Sequence, residues 1–344
     1  MNNRVLIVAE MSANHNGSKD VALETVRAAK RAGADAIKIQ TYTADTITLD
    51  CDTEDFQIKQ GTLWDGQTLY KLYQQAYTPW EWHKDIFEEA KRVGLICFST
   101  PFDFSAVDFL EELDNPIYKI ASFEITDIPL IEYAASKQKP MVISTGIATE
   151  EDIVLVIEAC RRVGNNDITL LKCTSSYPAP IEEANLCMLK DLADRFRVKV
   201  GLSDHTMGAI CPVVATAMGA TLIEKHFILD RSIGGPDAAF SMNETEFAEM
   251  VKMIRDAEKS IGVVDYSLSE KKMANRNFAR SLYVAEDIKE GEVITKENVR
   301  SVRPSLGLHP KYYNDILGKK VNKNLQKGDR MSLNVIEINN SKSK

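Results

Sequence analysis

The sequence predicts an α/β protein whose main body is a (β/α)8 TIM barrel, and three observations carry that prediction. Eight short apolar runs are spaced along the first two thirds of the chain, helix-like stretches separate them, and nearly every run ends in a polar or charged residue. Parallel strands covered by helices, with reactive side chains gathered at their carboxyl ends, describe a barrel with its site on one rim. That layout indicates an enzyme.

The runs are VLIVAE, DAIKIQ, LICFST, IYKIASFE, MVISTG, LLKCTSS, VGLSDH and LIEKHF. In order they bring to the rim Glu10, then Lys38 and Gln40, then Ser99 and Thr100, then Lys119, Ser122 and Glu124. The second four bring Ser144 and Thr145, then Thr174 and Ser175, then Ser203 and His205, and last His226. All eight are apolar throughout instead of alternating, as expected of strands covered on both faces. Residues 19–32 read as the first crossover helix, with Ser18 as its cap and Gly33 as its left-handed stop. Residues 79–93, 104–113, 150–163, 189–196, 208–218 and 244–261 read the same way, and such crossovers are right-handed.

The stretch 46–77 breaks the rhythm, carrying Gly61, Trp64 and Gly66 between the second strand and the next helix. A long excursion after a barrel strand forms a lid or a substrate-facing loop; packing at an oligomer contact explains it equally well. Domain boundaries follow from the change of pattern near Val264: residues 1–265 form the barrel, 266–282 a linker, and 283–344 a second, turn-rich β domain. The linker holds a polar helix-like stretch, 268–276. The second domain contains a loose repeat, AEDIKEGEVIT at 285–295 and NKNLQKGDRMS at 322–332.

Composition sets the boundaries of function. With 44% hydrophobic and 27% charged residues, the chain has no apolar run near the roughly 20 residues of a membrane span. MNNRVLIVAE enters a strand without signal-peptide anatomy, so a cytoplasmic location is expected. Six cysteines without CxxC spacing read as reduced structural thiols. The net charge of −8 divides into about +7 from Tyr266 onward and about −15 before it. An acidic barrel with a basic tail speaks against nucleic acid and for contact between the two parts.

His205 and His226 end neighbouring strands, so both imidazoles reach one rim. Two histidine ligands with open positions suit a catalytic divalent ion acting as a Lewis acid, the alternative being two hydrogen-bonded core histidines. Asp237, in GGPD, is placed to bond a metal-bound water or a substrate hydroxyl, and Asp204 and Glu224 read as structural neighbours. Lys38 and Lys119, with Gln40, Ser122, Ser144, Thr174, Ser175 and Ser203, make a ring of cations and hydroxyls for a small anion carrying phosphate or carboxylate. A Schiff-base role for either lysine is the competing enzymatic reading. Glu10 and Glu124 are either acid–base groups raised by burial or partners of those lysines. Asn14, His15 and Asn16 form a polar turn over the first strand's end.

Across essentially its whole length the chain resembles the sialic acid synthase family, through AEMSANHNG, ADAIKIQTY, CFSTPFD, YKIASFE, VISTGIAT, KCTSSYPAP, GLSDH, EKHF, GGPDAAFSM and SVRPSLGLHP. The resemblance implies condensation of phosphoenolpyruvate with an N-acetylated aldose, a transferase reaction that forms a carbon–carbon bond. It implies that His205 and His226 hold a divalent ion, Mn2+ foremost, with Mg2+ and Co2+ as alternatives. It further assigns phosphoenolpyruvate to Lys38, Gln40, Lys119, Ser122, Ser144 and Ser203, and substrate handling to Glu10, Glu124, Tyr177 and Asp237. The second domain becomes an antifreeze-like (SAF, β-clip) domain that inserts Arg303 into a partner's site in a domain-swapped homodimer. GTLWDGQTLYKLYQQAYTPWEWH and RPSLGLHPKYY look closest to the branch whose sugar is a 6-deoxy, di-N-acetylated altrose. Ser175 departs from the family's usual asparagine in this motif, which bears on the sugar more than on the reaction. A lysine-dependent pyruvate aldolase and a non-catalytic sugar-binding barrel are the rival readings.

Overall fold

Eight parallel strands close on themselves in sequence order: β1 Leu6–Glu10, β2 Ala36–Thr41, β3 Ile96–Pro101, β4 Tyr118–Ile120, β5 Met141–Ser144, β6 Ile168–Cys173, β7 Lys199–Asp204 and β8 Leu222–His226. The last strand returns to the first, setting Leu6 opposite Leu222 and Glu10 opposite His226. These relations come from a computed structural model that describes residues 4–59, 61 and 64–337. The chain divides between Gly262 and Val263 into two units.

Successive side chains of a strand point to opposite faces, and the barrel puts both faces to use. Inside, Val8, Ala36, Phe98, Val142, Leu171 and Leu222 form a small apolar plug. Outside, Ile7, Ile37, Ile39, Tyr118, Ile120, Ile143, Leu170 and Ile223 join a larger core beneath the helices. Two residues beyond each plug position the inward face turns polar, giving Glu10, Lys38, Thr100, Ser144, Cys173 and Glu224. The strands therefore do alternate at their upper ends, where the helix-facing side chains stay apolar and the inward ones do not. Gly201 belongs to the plug by absence: a Cβ there would sit 2.5 Å from the Leu222 carbonyl oxygen and 2.7 Å from Leu171.

The crossover helices are capped as the sequence suggests. Ser18 accepts from the Val21 amide at the start of helix Lys19–Arg31, and Gly33 follows its end at φ +88°. Thr149 and Asp152 form a reciprocal capping box on helix Glu150–Arg162. Two expectations need correction. The run IYKIASFE is strand only over Tyr118–Ile120, because Ser122–Glu124 turn into a 3-10 helix, closed by the Glu124 amide on the Ala121 carbonyl. Helix Ile128–Ser136 was not anticipated, although Asp127 caps it, Pro129 sits in its first turn, and Leu130, Ile131, Ala134 and Ala135 are buried at helical spacing.

The excursion after β2 is ordered in pieces: helices Ala44–Ile47 and Leu69–Ala76, the 3-10 turn Glu54–Phe56, and a small pairing of Ile58 with Gln67 and Gly66. Helix Trp80–Val93 then resumes the crossover rhythm. No described helix is long and apolar enough to cross a membrane.

The second unit begins with helix Glu270–Arg276 and pairs β9 Ser281–Val284 antiparallel with β10 Val299–Val302. Its sequence repeat is a structural pseudo-twofold. Ile288 and Leu325, equivalent in the two copies, exchange amide–carbonyl bonds of 2.9 and 2.8 Å. The Val284 amide bonds the Asp329 carbonyl as the Val321 amide bonds that of Glu292, each at 3.0 Å. Glu292 and Asp329 each accept the amide three residues before them, and the turns close at Gly291 and Gly328 with φ of +80° and +96°. Leu282, Val284, Ile288, Ile294, Val321, Leu325 and Met331 fill the core between the copies.

Candidate active site

At the carboxyl end of the barrel, the inward positions of β1, β2, β4, β7 and β8 converge into a buried charged cluster. Lys38 Nζ contacts the Glu10 carboxylate, lies 3.8 Å from Glu224 Oε1 and donates to Thr100 Oγ1 at 3.4 Å. Lys119 Nζ donates to Ser144 Oγ at 2.8 Å and to its neighbour's carbonyl at 3.0 Å, and lies 4.0 Å from the same Glu224 oxygen. Ser203 donates to that oxygen at 3.1 Å. Glu224 thus bridges both lysines from inside the mouth, and its sequence reading as a structural neighbour is corrected. The alternation that turns Glu224 inward turns Asp204 outward. Gln40 is half-buried two residues beyond Lys38 on the same face, in register with Thr100.

These charges are not a device for stability. A buried ion pair is often no better than a well-packed apolar pair, while removing one partner alone costs about 3–5 kcal/mol. Burial, aided by Glu224, raises Glu10 to about 7 against the pull of Lys38. Burial opposes the charge on Lys38, but Glu10 and Glu224 outweigh it and raise its pKa, so the ammonium persists. Lys119 has less compensation and is lowered by burial. Glu124 is raised to about 7 by burial, with Lys119 opposing, and its Oε2 has no hydrogen-bond partner.

A hydroxyl cradle adjoins the lysines. Ser175 Oγ donates to Ser122 Oγ at 2.9 Å, and Ser122 Oγ accepts the Ile147 amide at 3.1 Å. Gly146 makes room for them: a Cβ there would fall 2.2 Å from Ser175 Oγ and 2.6 Å from Ser122 Oγ.

Beside this anion pocket stand the two histidines, ring centroids 5.4 Å apart. His205 Nδ1 lies 2.9 Å from the Thr174 carbonyl and 3.9 Å from Cys173 Sγ, so Nδ1 carries a proton and Nε2 is the nitrogen left for an ion; burial opposes charge on the ring, but Cys173 and Thr174 raise its pKa. His226 Nδ1 is buried without a hydrogen-bond partner, 3.8 Å from Asp237 Oδ2. Burial and the neighbouring positive charges hold His226 well below its usual pKa, so its ring is held neutral. These observations fit a divalent ion: metal–nitrogen bonds of about 2 Å let one ion reach both rings at this separation. Among the described residues there is no cluster of three or more His, Cys, Asp or Glu able to hold an ion. An ion here would rest on the two imidazoles and take further ligands from water or substrate.

An arc of rings closes this side. Tyr177 packs 4.3 Å from His205 and 5.2 Å from Phe240, and Phe240 lies 4.9 Å from His226. From the excursion, Trp64 reaches Tyr177 at 5.9 Å. Phe240 and Trp64 were not anticipated as site residues; the signal lay in GGPDAAF, three residues past Asp237, and in the length of the excursion. His15 is not at the mouth's disposal, since it bonds the Gly17 amide and Thr78 and packs on Trp82. Asn14 ties the first loop to the Phe227 carbonyl and Ser241. Arg303 lies on the second unit, exposed directly after β10.

Comparison with known proteins agrees with this fold. The NeuB family pattern matches residues 25–266 and the SAF domain pattern residues 279–329. The chain belongs to the NeuB family. Within the family it is 52% identical to a pseudaminic acid synthase of Campylobacter jejuni over 95% of both chains. It is 50% identical to one of Helicobacter pylori, over 96% of this chain and 97% of that one. Among solved structures, the spore coat polysaccharide biosynthesis protein spsE of Bacillus subtilis superposes with a TM-score of 0.65 at 30% identity, covering 98% of this chain and 96% of that one.

Proposed function

We propose that this NeuB-family chain condenses phosphoenolpyruvate with 2,4-diacetamido-2,4,6-trideoxy-L-altrose and water, releasing phosphate and a nine-carbon 2-keto acid, as a pseudaminic acid synthase. One observation carries the reading: two buried lysines and a serine cradle stand beside a ligand-ready histidine pair, in a chain half identical to proteins of that name.

Lys38 and Lys119 take the carboxylate and phosphate of phosphoenolpyruvate, with Gln40, Thr100, Ser122, Ser144, Ser175 and Ser203 completing the cradle. Without substrate, Glu10 and Glu224 balance the ammonium charges; an arriving anion takes over that role. A divalent ion held by His205 and His226 would supply Lewis acidity at the aldehyde oxygen of the open-chain sugar. Asp237 and Tyr177 orient that sugar, and the wall of Trp64, Tyr177 and Phe240 offers apolar surface to its methyl groups. C3 of phosphoenolpyruvate forms a bond to the aldehyde carbon, whose oxygen becomes a hydroxyl by taking a proton. Water adds at C2, where cationic character has developed, and loses a proton. The C2–O bond to phosphate then breaks as the new C2 hydroxyl gives up its proton, which ends on the departing phosphate, leaving the ketone. Glu10 and Glu124, both raised to about 7, are the groups able to give and take these protons near neutral pH. Lys119 accompanies the departing phosphate.

The second unit, by this proposal, serves a partner subunit in a homodimer, offering Arg303 to the partner's sugar site. Six unpaired cysteines suit a reducing compartment such as the cytoplasm. Phosphate release with N-acetylmannosamine and the two di-N-acetylated deoxy-sugars tests the assignment. Preference for the altro isomer is expected; release only with another sugar would overturn the acceptor. Oxygen-18 in the bridging position should appear in phosphate, and label kept in the sugar acid would overturn the C–O route. Borohydride with pyruvate should trap no imine, whereas a trapped lysine would favour an aldolase.

A further inference from the structure

The histidine pair is flanked by a charged pair that the reaction does not use. Asp204 immediately precedes His205, and Lys225 immediately precedes His226. They are opposite one another in the β7–β8 register, and strand alternation turns both away from the mouth. Both are nearly inaccessible, at 3% and 1% exposure. We infer that Lys225 and Asp204 form a positioning clamp that sets the relative placement of His205 and His226, and with it the affinity of the site for a divalent cation. The inference rests on the proposal that those imidazoles hold the ion.

The hydrogen bonds give the clamp its shape. Lys225 Nζ donates to Asp204 Oδ2 at 2.5 Å, to the Gly208 carbonyl at 3.0 Å and to the Thr206 carbonyl, using all three of its protons. Asp204 Oδ1 accepts the Thr206 amide at 3.0 Å and its hydroxyl at 2.8 Å. Residues 204–208 are therefore wound around one ammonium, with His205 inside the winding. The strand that carries one imidazole thus shapes the loop that carries the other.

The other polar ties of His205 are its carbonyl to the Ala179 amide at 3.0 Å and its Nδ1 to the Thr174 carbonyl and Cys173 Sγ, at 2.9 and 3.9 Å. All lead to β6 or the segment after it and none leads to β8. The direct side-chain link from the His205 loop to the His226 strand is Lys225. Packing alone would be served as well by two apolar side chains of similar size. What an apolar pair cannot supply is the three-way donor that gathers two carbonyls and a carboxylate.

The test is Mn2+ binding by the full-length protein without substrates, followed by the electron paramagnetic resonance of free Mn2+, with thermal unfolding as the check on fold. The double variant Asp204→Asn/Lys225→Met keeps volume and neutralises both charges. It should unfold cooperatively yet bind Mn2+ about ten- to a hundredfold more weakly, the range seen when groups behind metal ligands are lost. Its turnover should recover at high Mn2+, with the KM for phosphoenolpyruvate unchanged. A folded double variant with wild-type Mn2+ affinity overturns the inference. Asp204→Asn alone, which leaves the carbonyl contacts of Lys225 in place, decides the matter if the double variant does not fold: a severalfold loss is expected, and none overturns the clamp. His226→Ala separates the two levels, because Mn2+ binding that survives this substitution overturns the two-histidine site itself and the clamp with it.

Discussion

The two units of this chain solve the same packing problem in opposite ways. In the second unit, polar groups are consumed by a repeated pattern of backbone bonds, with Glu292 and Asp329 capping equivalent amides around an apolar core. In the barrel, the mouth holds buried Glu124, Glu224 and His226 atoms that lack hydrogen-bond partners, beside two buried lysines. Among the described residues, every such unpartnered buried polar atom belongs to the first unit. Unmet polar capacity is costly, and the group of such atoms on Glu124, Glu224 and His226 at the mouth suits a place where a ligand completes the structure.

The strongest way to break this contrast is to remove a mouth cation. Lys119→Met should lower kcat/KM for phosphoenolpyruvate by about a thousandfold, the scale of losing a preorganised electrostatic donor. Glu224 keeps Lys38 as a partner, so the loss of stability should stay below the about 3–5 kcal/mol of a buried pair broken outright. Steady-state kinetics and a melting curve on one preparation check both halves. A large loss of stability with intact turnover would show that the lysine belongs to the scaffold.

Glu124 gives the next effect, and its sign is fixed by its environment. Burial raises it from 4.5 to about 7, so between those values the folded protein holds a proton that the unfolded chain releases. Its contribution to stability is therefore full below about pH 4.5 and is lost as pH rises through 7. Above that pH the folded state carries a buried carboxylate, at a cost on the order of 3 kcal/mol. Glu124→Gln should be more stable than the native protein at pH 8 and nearly equal at pH 5. It should lose about a hundredfold in kcat, together with the pH-dependent limb near 7. Melting curves at the two pH values and a pH–rate profile supply the measurements.

How much of this was legible follows from which forces act locally. Glu10, Lys38, Lys119, His205 and His226 could be read from the sequence because strand period and strand end fix their direction. The inward turn of Glu224 was available by the same rule, since it stands two residues before His226, yet Glu224 in LIEKHF and Asp204 in GLSDH are both carboxylates just before a histidine, which invited a common role for both. The break after Ile120 was hidden because IYKIASFE is apolar enough for a strand, and no Gly or Pro announces the 3-10 turn at Ser122–Glu124 that follows β4. The aromatic wall was hidden for another reason: Trp64 and Tyr177 are distant in sequence and meet only through the path of the excursion. The repeat in the second unit was visible, but the pairing of its copies with each other was not, because similarity of two segments does not say that they touch.

Trp64 sharpens the contrast at a smaller scale. If the excursion serves the mouth, Trp64→Ala should raise the KM for the methyl-bearing sugar about tenfold, the worth of a lost apolar contact, and leave that for phosphoenolpyruvate unchanged. Equal changes in both constants would place Trp64 in the scaffold of the excursion.

The smallest effect tests the other side of the comparison, the claim that the second unit is locally consistent and twofold in its energetics. Gly291 and Gly328 occupy equivalent turns at φ +80° and +96°, and a Cβ at either position would meet no atom within 4 Å. Sterics from neighbours are thus absent, and the cost of alanine is the left-handed backbone alone, about 1–2 kcal/mol at each site. Gly291→Ala and Gly328→Ala should therefore destabilise the second unit by similar amounts and leave condensation rates at saturating substrate unchanged. Each turn is also tied to the other copy, Glu290 to Asn324 and Lys327 to Asp287, so the departure of the double variant from the sum measures how strongly the two turns are coupled. Hydrogen exchange at the Ile288 and Leu325 amides, which bond each other's carbonyls, reads the loss from both copies at once. Unequal costs would mean that one copy of the repeat is held by something beyond its own turn, and the pseudo-twofold would then describe the backbone without describing its energetics.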